Sequence, residues 1–360
     1  MRVLIAAGGT GGHIYPGIAV ANEIMRRDAA STVKFVGTAR GLETRLVPEN
    51  GFELLTIESA GLKNVGLAGQ LKGLMILPKS FLAARRLIKN FNPDVVVGAG
   101  GYVSGPVLLT ASLMRIPTLV MDSNALPGFT NRRLAPFVTK AALTFEEALP
   151  FFGKKGIVTG NPVRREFFEI PPKPRDEKEF SLLIFGGSQG ARAINNAMVE
   201  ALPGLQAFRG KLRITHQTGE ADFEKIKQGY DASGWSDAEV SAYIKNMPEH
   251  FAKNDLIVCR AGATTCAELA AAGKAAIMIP LPTAADDHQR KNAEALERAG
   301  AARMILQKDL TGEALAHAIA ELINQPAKIT EMEQSAKKLA RADAAEVTVD
   351  LIEKLSVVRR

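Results

Sequence analysis

Cysteine is nearly absent: two residues, Cys259 and Cys266, in a chain of 360. They lack the paired spacing of a zinc site and are too few for a disulfide framework. A reducing compartment is implied. No run of 18 or more apolar residues occurs, so no membrane-spanning helix is expected. Arg2 is followed by only five apolar residues before the first glycine, too few for the apolar core of a secretory signal. Aromatic residues make up only 6%, with one Trp. A basic surface without aromatic platforms argues against single-stranded nucleic acid as a partner.

Positive charge is present but uneven. Residues 1–163 hold 18 Lys and Arg against 10 Asp and Glu, whereas the remainder holds 27 against 28. The net +7 therefore belongs to the first half. It suits general solubility, a polyanionic ligand or an anionic membrane surface.

Short apolar runs alternate with helical patterns along the chain. RVLIA (2–6), VKFVG (33–37), FELLTI (52–57), DVVVG (94–98), PTLVM (117–121) and IVTG (157–160) read as strands. The plan restarts with FSLLIF (180–185), KLRITH (211–216), DLIVCR (255–260), KAAIMIP (274–280) and ARMIL (302–306). Strands separated by helices predict parallel sheets covered on both faces. The fold class is α/β, with two Rossmann-like doubly wound domains facing a cleft. The boundary falls near Asn161–Phe168, giving domains 1–163 and 164–340. EIPPKPRDEKE (169–179) reads as a linker or surface loop. Ligands of such sheets bind at the carboxyl ends of the strands.

Glycine, at 32 residues, marks the loops that matter. GGTGGH (8–13) follows the first strand and opens a helix, a context suited to phosphate. A dinucleotide fold would need G-x-G-x-x-G and an acidic residue some 20 positions on. The second strand ends Val36-Gly37-Thr38 instead. A P-loop would need Gly-Lys-Ser/Thr, which neither GGTGGH nor GGSQGA (186–191) supplies. The stretch CRAGATTCAELAAAGK is richer. A strand ends at Arg260, a small-residue turn follows, and a helix is expected to start near Thr264–Thr265 with hydroxyls at capping positions. Its N-terminus would face an anion, with Glu268 one turn inside. Asp286, Asp287, His288, Gln289 and Asn292 then crowd the start of another helix. Ordinary helix capping accounts for part of this pattern. Turn, caps, acid and polar cluster together suggest a nucleotide-sugar site.

Eight stretches give that suggestion a family. GGTGGHIYPGIAVA, GAGGYVSGP (98–106), NALPGFTNRRLA (124–135), TGNPVR (159–164), GGSQGA, HQTG (216–219), CRAGATTCAELAAAG and DHQRKNA (287–293) run in order over most of the chain. They resemble the MurG family of bacterial N-acetylglucosaminyltransferases, of GT-B fold. The resemblance implies inverting transfer of GlcNAc from UDP-GlcNAc to the C4 hydroxyl of MurNAc in the lipid-linked acceptor lipid I, giving lipid II of peptidoglycan. One stretch departs from the family. An acidic residue, Gln and Asn are expected before the NxxPG turn, but the chain reads Asp122-Ser123-Asn124.

By that resemblance Arg164 and the backbone near Ile244 contact uracil, Ser188 holds phosphate, and Ala263, Thr264, Thr265 and Glu268 bind the diphosphate and ribose. Gln289, and less directly His288, take sugar hydroxyls. Thr10, Gly11, Gly12 and Asn124 reach the donor. Gly101, Tyr102, Ser104 and Asn131 line the acceptor. His13 is the candidate base, since histidine titrates near neutrality; its alternative is to orient a phosphate or cap the loop. Glu268 and Gln289 are counted with His13 in the catalytic set. No D-x-D pair occurs, so no metal ligands and no cofactor are assigned, and stimulation by a divalent cation stays open. His250 and His317 read as surface residues, His216 as a strand-end residue, and both cysteines as small buried hydrophobes.

A lipid-linked acceptor requires a way to the membrane. Leu74, Met75, Ile76, Leu77, Phe81 and Leu82 lie among Lys72, Lys79, Arg85, Arg86 and Lys89. This segment is expected to dock on the cytoplasmic face of the bacterial inner membrane. The competing reading is a helix packed on the core by Phe81, Leu82 and Leu87, with a basic outer face. A C-terminal helix over about 345–358 is expected to return to the first domain. Contacts with other cell-wall or division proteins are compatible with this role. The rival functions are another GT-B UDP-sugar transferase with a lipid acceptor, a UDP-GlcNAc 2-epimerase, and a non-catalytic nucleotide-sugar-binding protein.

Overall fold

The computed structural model describes residues 1–59, 67–175, 178–284 and 287–358, with backbone alone for 67–77 and 358. The chain divides into two compact units, Met1–Arg164 with Ala342–Arg360, and Arg165–Arg341.

The first unit holds strands β1 (Arg2–Ala7), β2 (Thr32–Gly37), β3 (Glu53–Thr56), β4 (Val95–Gly100), β5 (Thr118–Asp122), β6 (Lys140–Leu143) and β7 (Gly156–Val158). They form one parallel sheet in the order β3-β2-β1-β4-β5-β6-β7. Val3 lies between Val33 and Val95 in register. Helices α1 (Gly11–Arg27), α2 (Glu43–Glu49), α3 (Leu67–Phe91), α4 (Ser104–Leu113) and α5 (Phe129–Leu134) connect the strands. Burial on both faces explains why β1 and β4 read as unbroken apolar runs rather than alternating ones.

The second unit holds β8 (Phe180–Phe185), β9 (Leu212–Gln217), β10 (Glu239–Ser241), β11 (Leu256–Cys259), β12 (Ala275–Met278) and β13 (Ala302–Met304). Their order is β10-β9-β8-β11-β12-β13, again parallel. Two strands, β6 and β10, are absent from the sequence reading. The first is KAAL, half alanine; the second is three residues at a sheet edge. Neither is long enough for a period to show.

The C-terminal helix Ala344–Val358 belongs to the first unit and packs on α1. It buries Val349 and Ile352. Arg27 Nη1 lies 2.6 Å from Asp350 and 3.2 Å from Glu353, while its Nε is 2.7 Å from the buried Glu23. The segment expected to be a linker or surface loop is fastened to the second unit. Lys173 Nζ and Arg175 Nη1 reach the buried Asp255 carboxylate at 2.7 and 2.6 Å.

Candidate functional site

In each unit strand order reverses beside the first strand, at β1/β4 and at β8/β11. Loops leaving neighbouring strands in opposite directions open a crevice at their carboxyl ends.

In the first unit GGTGGH leaves β1 and GAGGYVSGP closes β4. The two loops touch backbone to backbone. Gly101 has φ +82°, and a Cβ there would overlap the Gly8 carbonyl. Ser104 is buried, and its hydroxyl stitches this junction. It accepts from Gly100 N–H at 3.1 Å and faces the Ala6 and Gly100 carbonyls at 2.9 and 2.8 Å. Ser104, expected at the acceptor, has its hydroxyl engaged with the backbone of β1 and of the Gly100 loop. Tyr102 is 56% exposed at the rim. Thr10, the N-cap of α1, is exposed and makes no capping bond. Gly11 and Gly12 are half-buried beside it.

His13 is half-buried in the first turn of α1. Its Nδ1 lies 3.2 Å from the Gly8 carbonyl, which can only accept. The neutral imidazole therefore carries its proton on Nδ1 and a lone pair on Nε2. The ring packs so closely on Gly100 that a Cβ there would strike it. Burial holds the imidazole below the usual histidine range, against the Gly8 carbonyl and the Asp122 and Glu43 charges, which raise it. A lowered pKa keeps Nε2 unprotonated near neutrality, as a base requires.

Asp122 ends β5, and its buried carboxylate gathers the next loop. It accepts from Asn124 N–H at 2.9 Å, Gly128 N–H at 3.0 Å and Asn131 Nδ2 at 2.8 Å. Asn131 is buried and spends the same amide on the Met121 carbonyl. Asn131, expected at the acceptor, has its Nδ2 engaged with Met121 and Asp122. Asn124 is half-buried, with Nδ2 3.4 Å from Asp122. Gly12, Asp122, Ser123, Thr144, Thr159 and Asn161 line a small crevice at these strand ends. Arg164, assigned by sequence to the second domain, falls in the first unit, its guanidinium 4.1 Å from the Tyr15 ring centroid.

The second unit repeats the loop junction. A Cβ on Gly190 would strike the Thr218 carbonyl, and one on Gly219 the Gln189 carbonyl. Below it, buried His216 has Nε2 3.1 Å from Asn195 Oδ1 and Nδ1 3.0 Å from the Tyr230 hydroxyl. Burial pushes its pKa down to about 3, so the ring is neutral and structural. Asn195 passes the network to the Thr218 carbonyl and Asp222. Ser188 is half-buried in the glycine loop. The Ile244 N–H donates to Gln217 Oε1 at 2.8 Å, so that donor is not available to a base.

The helix Ala263–Ala272 begins one residue earlier than expected. Gly262 is the N-cap, in extended conformation, and no side chain caps it. The capping role assigned to Thr264 and Thr265 is corrected: both lie inside the first turn. Thr264 and Glu268, four residues apart, are buried on one face, with Thr265 half-buried. Asn292 Nδ2 holds the Ala261 carbonyl at 3.0 Å, and Gln289 Oε1 accepts from Leu281 N–H at 3.0 Å. One helix, His288–Arg298, is thus fastened both to the turn before Ala263 and to the loop after β12. Asp286 lies outside the described residues. Both cysteines are buried thiols, Cys266 pushed up to about 12 by burial, which removes them as nucleophiles.

On α3, Lys79, Arg85, Arg86 and Lys89 are exposed. Leu82, which the competing core-packed reading would turn inward, is 57% exposed among them. The side chains of Leu74, Met75, Ile76 and Leu77 lie outside the described residues. Among the described residues no helix is long and apolar enough to cross a membrane.

Sequence profiles of the glycosyltransferase family 28 N-terminal and C-terminal domains match residues 3–143 and 181–348. A UDP-N-acetylglucosamine–N-acetylmuramyl-(pentapeptide) pyrophosphoryl-undecaprenol N-acetylglucosamine transferase of Geobacter sulfurreducens is 46% identical over 355 residues, 97% of each chain. One of the same description from Anaeromyxobacter sp. (strain K) is 48% identical over the whole chain and 94% of its own length. The crystal structure of Acinetobacter baumannii MurG superposes with TM-score 0.74 at 33% identity, over 98% of this chain and 99% of that one.

The chain belongs to the MurG family, within glycosyltransferase family 28.

A UDP-GlcNAc 2-epimerase from Neisseria meningitidis superposes at TM-score 0.68 over 98% of this chain and all of its own. At 14% identity that likeness is one of fold. What sequence reasoning missed within this MurG-family fold is Glu43. Nothing in GLETRL (41–46) marks it apart from the acidic residue usual in a helix's first turn.

Proposed function

We propose that the chain transfers GlcNAc from UDP-GlcNAc to the C4 hydroxyl of MurNAc in lipid I, with inversion, giving lipid II. The carrying observation is the His13 imidazole, with Nδ1 committed to Gly8 and Nε2 left as an acceptor, in a chain whose near full-length relatives bear this activity in their names. In this reading the two loops at Gly8–His13 and Gly100–Ser104 receive the acceptor diphosphate on backbone N–H groups. His13 Nε2 takes the acceptor hydroxyl proton as its oxygen attacks C1 and UDP leaves. The second unit holds the donor: Ser188 at phosphate, Glu268 at the ribose hydroxyls, Gln289 at the sugar. Developing charge on UDP meets the positive end of the dipole of helix Ala263–Ala272.

Purified protein offered labelled UDP-GlcNAc with a lipid I analogue, and separately with an acceptor lacking the diphosphate, should label only the first. Epimerisation of UDP-GlcNAc without transfer would sink the reading.

The same proposal has the protein docked peripherally on the cytoplasmic face of the inner membrane. The basic excess of the first unit and the cationic face of α3 around exposed Leu82 support it. Leu82→Glu with Arg86→Glu removes one apolar anchor and reverses one cation, each worth about 1–3 kcal/mol at an anionic surface. Sedimentation with phosphatidylglycerol vesicles should weaken at least about tenfold, while UDP binding holds. Unchanged sedimentation would move docking elsewhere.

A further inference from the structure

Glu43 is fully buried, yet it is a carboxylate with no cation in its bonded set. Its Oε2 accepts from Gly9 N–H at 3.0 Å. Its Oε1 accepts from the N–H and hydroxyl of Thr38, both at 2.8 Å. Room for it is made by glycines from three chain segments. A Cβ on Gly8 would come within 2.9 Å of Oε1, one on Gly37 within 2.5 Å of Cγ, and one on Gly41 would overlap the carboxylate. A buried charge on this scale is retained only where its acceptors are filled. Here they are filled by the loop it supports. Gly9 has φ +89°, a conformation suited to glycine, and its N–H is aimed at Glu43. The carbonyl of the preceding residue, Gly8, is the one that fixes His13 Nδ1. One peptide thus faces two ways, with its N–H toward the acid and its oxygen toward the imidazole.

We propose that Glu43 is a positioning residue: it clamps the Gly8–Gly9 peptide and, through the Gly8 carbonyl, sets the orientation and tautomer of His13. This deepens the reading of His13 as the base and rests on it. Burial pushes the Glu43 carboxyl up, and the Thr38 and Gly9 donors more than offset this, holding it ionised below the ordinary glutamate value. The charged groups acting on His13 are Glu43 and Asp122, and both raise its pKa.

Glu43→Gln keeps the shape but has one oxygen for three donors, and its NH2 must face one of them. The peptide relaxes, and displacement of a catalytic group by ~1 Å costs ~10²-fold. The expected result is a kcat about 10–100-fold lower with KM for UDP-GlcNAc within about twofold. Loss of the charge lowers the His13 pKa, so the acidic limb of kcat/KM shifts to lower pH. A kcat within twofold of the parent, or a fall in kcat with neither the acidic limb nor the His13 pKa moved, overturns the proposal. Titration of the His13 ring by NMR separates the two readings. If its pKa falls in Glu43→Gln but the rate profile does not follow, positioning stands and the base role fails. Should the variant not fold, the parent protein decides. The Gly9 and Thr38 amide resonances must shift together as Glu43 takes its proton, and a Gly9 amide blind to that titration overturns the clamp.

Discussion

His13→Asn should lower kcat by about 10²–10⁴-fold, the range a positioned base supplies, with KM for UDP-GlcNAc within about threefold. Asparagine can place its Nδ2 near the Gly8 carbonyl and so keep the bond that His13 Nδ1 makes at 3.2 Å. It cannot present the second, basic nitrogen. The loss therefore falls on the chemical step rather than on loop structure. The pH profile gives a second reading. Burial lowers the His13 pKa from 6.5, so the acidic limb of the parent should have its midpoint below that value. Activity rises with pH as the imidazole gives up its proton, and the variant should lose that limb. Steady-state rates between pH 5 and 8 check both points. A variant turning over at the parent rate with both substrates saturating leaves His13 as a loop cap.

Asp122→Ala should destabilise the protein by roughly 3–5 kcal/mol, a large share of the 5–15 kcal/mol typical of a domain. The carboxylate is 5% exposed and collects two backbone N–H groups and two side-chain amides. Each donor left without an acceptor costs ~1–3 kcal/mol, and partial entry of water keeps the total below the sum. Activity should fall with stability, because Asn124 and the crevice lined by Gly12 and Ser123 lose their shared anchor. Urea denaturation followed by fluorescence measures the loss. A change under 1 kcal/mol would mean the donors find other acceptors. Ser123→Gln, restoring the amide expected from the family at that position, leaves this knot intact and should be nearly neutral.

Continuous apolar runs made most strands legible. FSLLIF matches β8 at both ends because every residue in it is buried. KAAL of β6 carries no such signal. Motifs located the loops, but their spatial neighbours were not in them. That Gly101 rests on Gly8, or that Ser104 is consumed by the backbone, depends on β1 and β4 lying side by side across some 90 intervening residues. Local rules also misled: Thr264 and Thr265 are good capping residues by type, yet an extended Gly262 starts the helix. Glu43 was invisible because its partners Gly9 and Thr38 come from the ends of two other strands.

The return of the C-terminal helix to α1 sets an order of events at the ribosome. The first unit lacks its last element until residues 165–341 have been made. At about 5–20 residues per second, that interval is roughly 10–35 s. Throughout it, the part of α1 that the C-terminal helix will cover is unshielded, and Arg27 has yet to meet Asp350 and Glu353. The second unit is contiguous and suffers no such delay. A chain cut short after Arg341 would leave the first unit permanently without that helix.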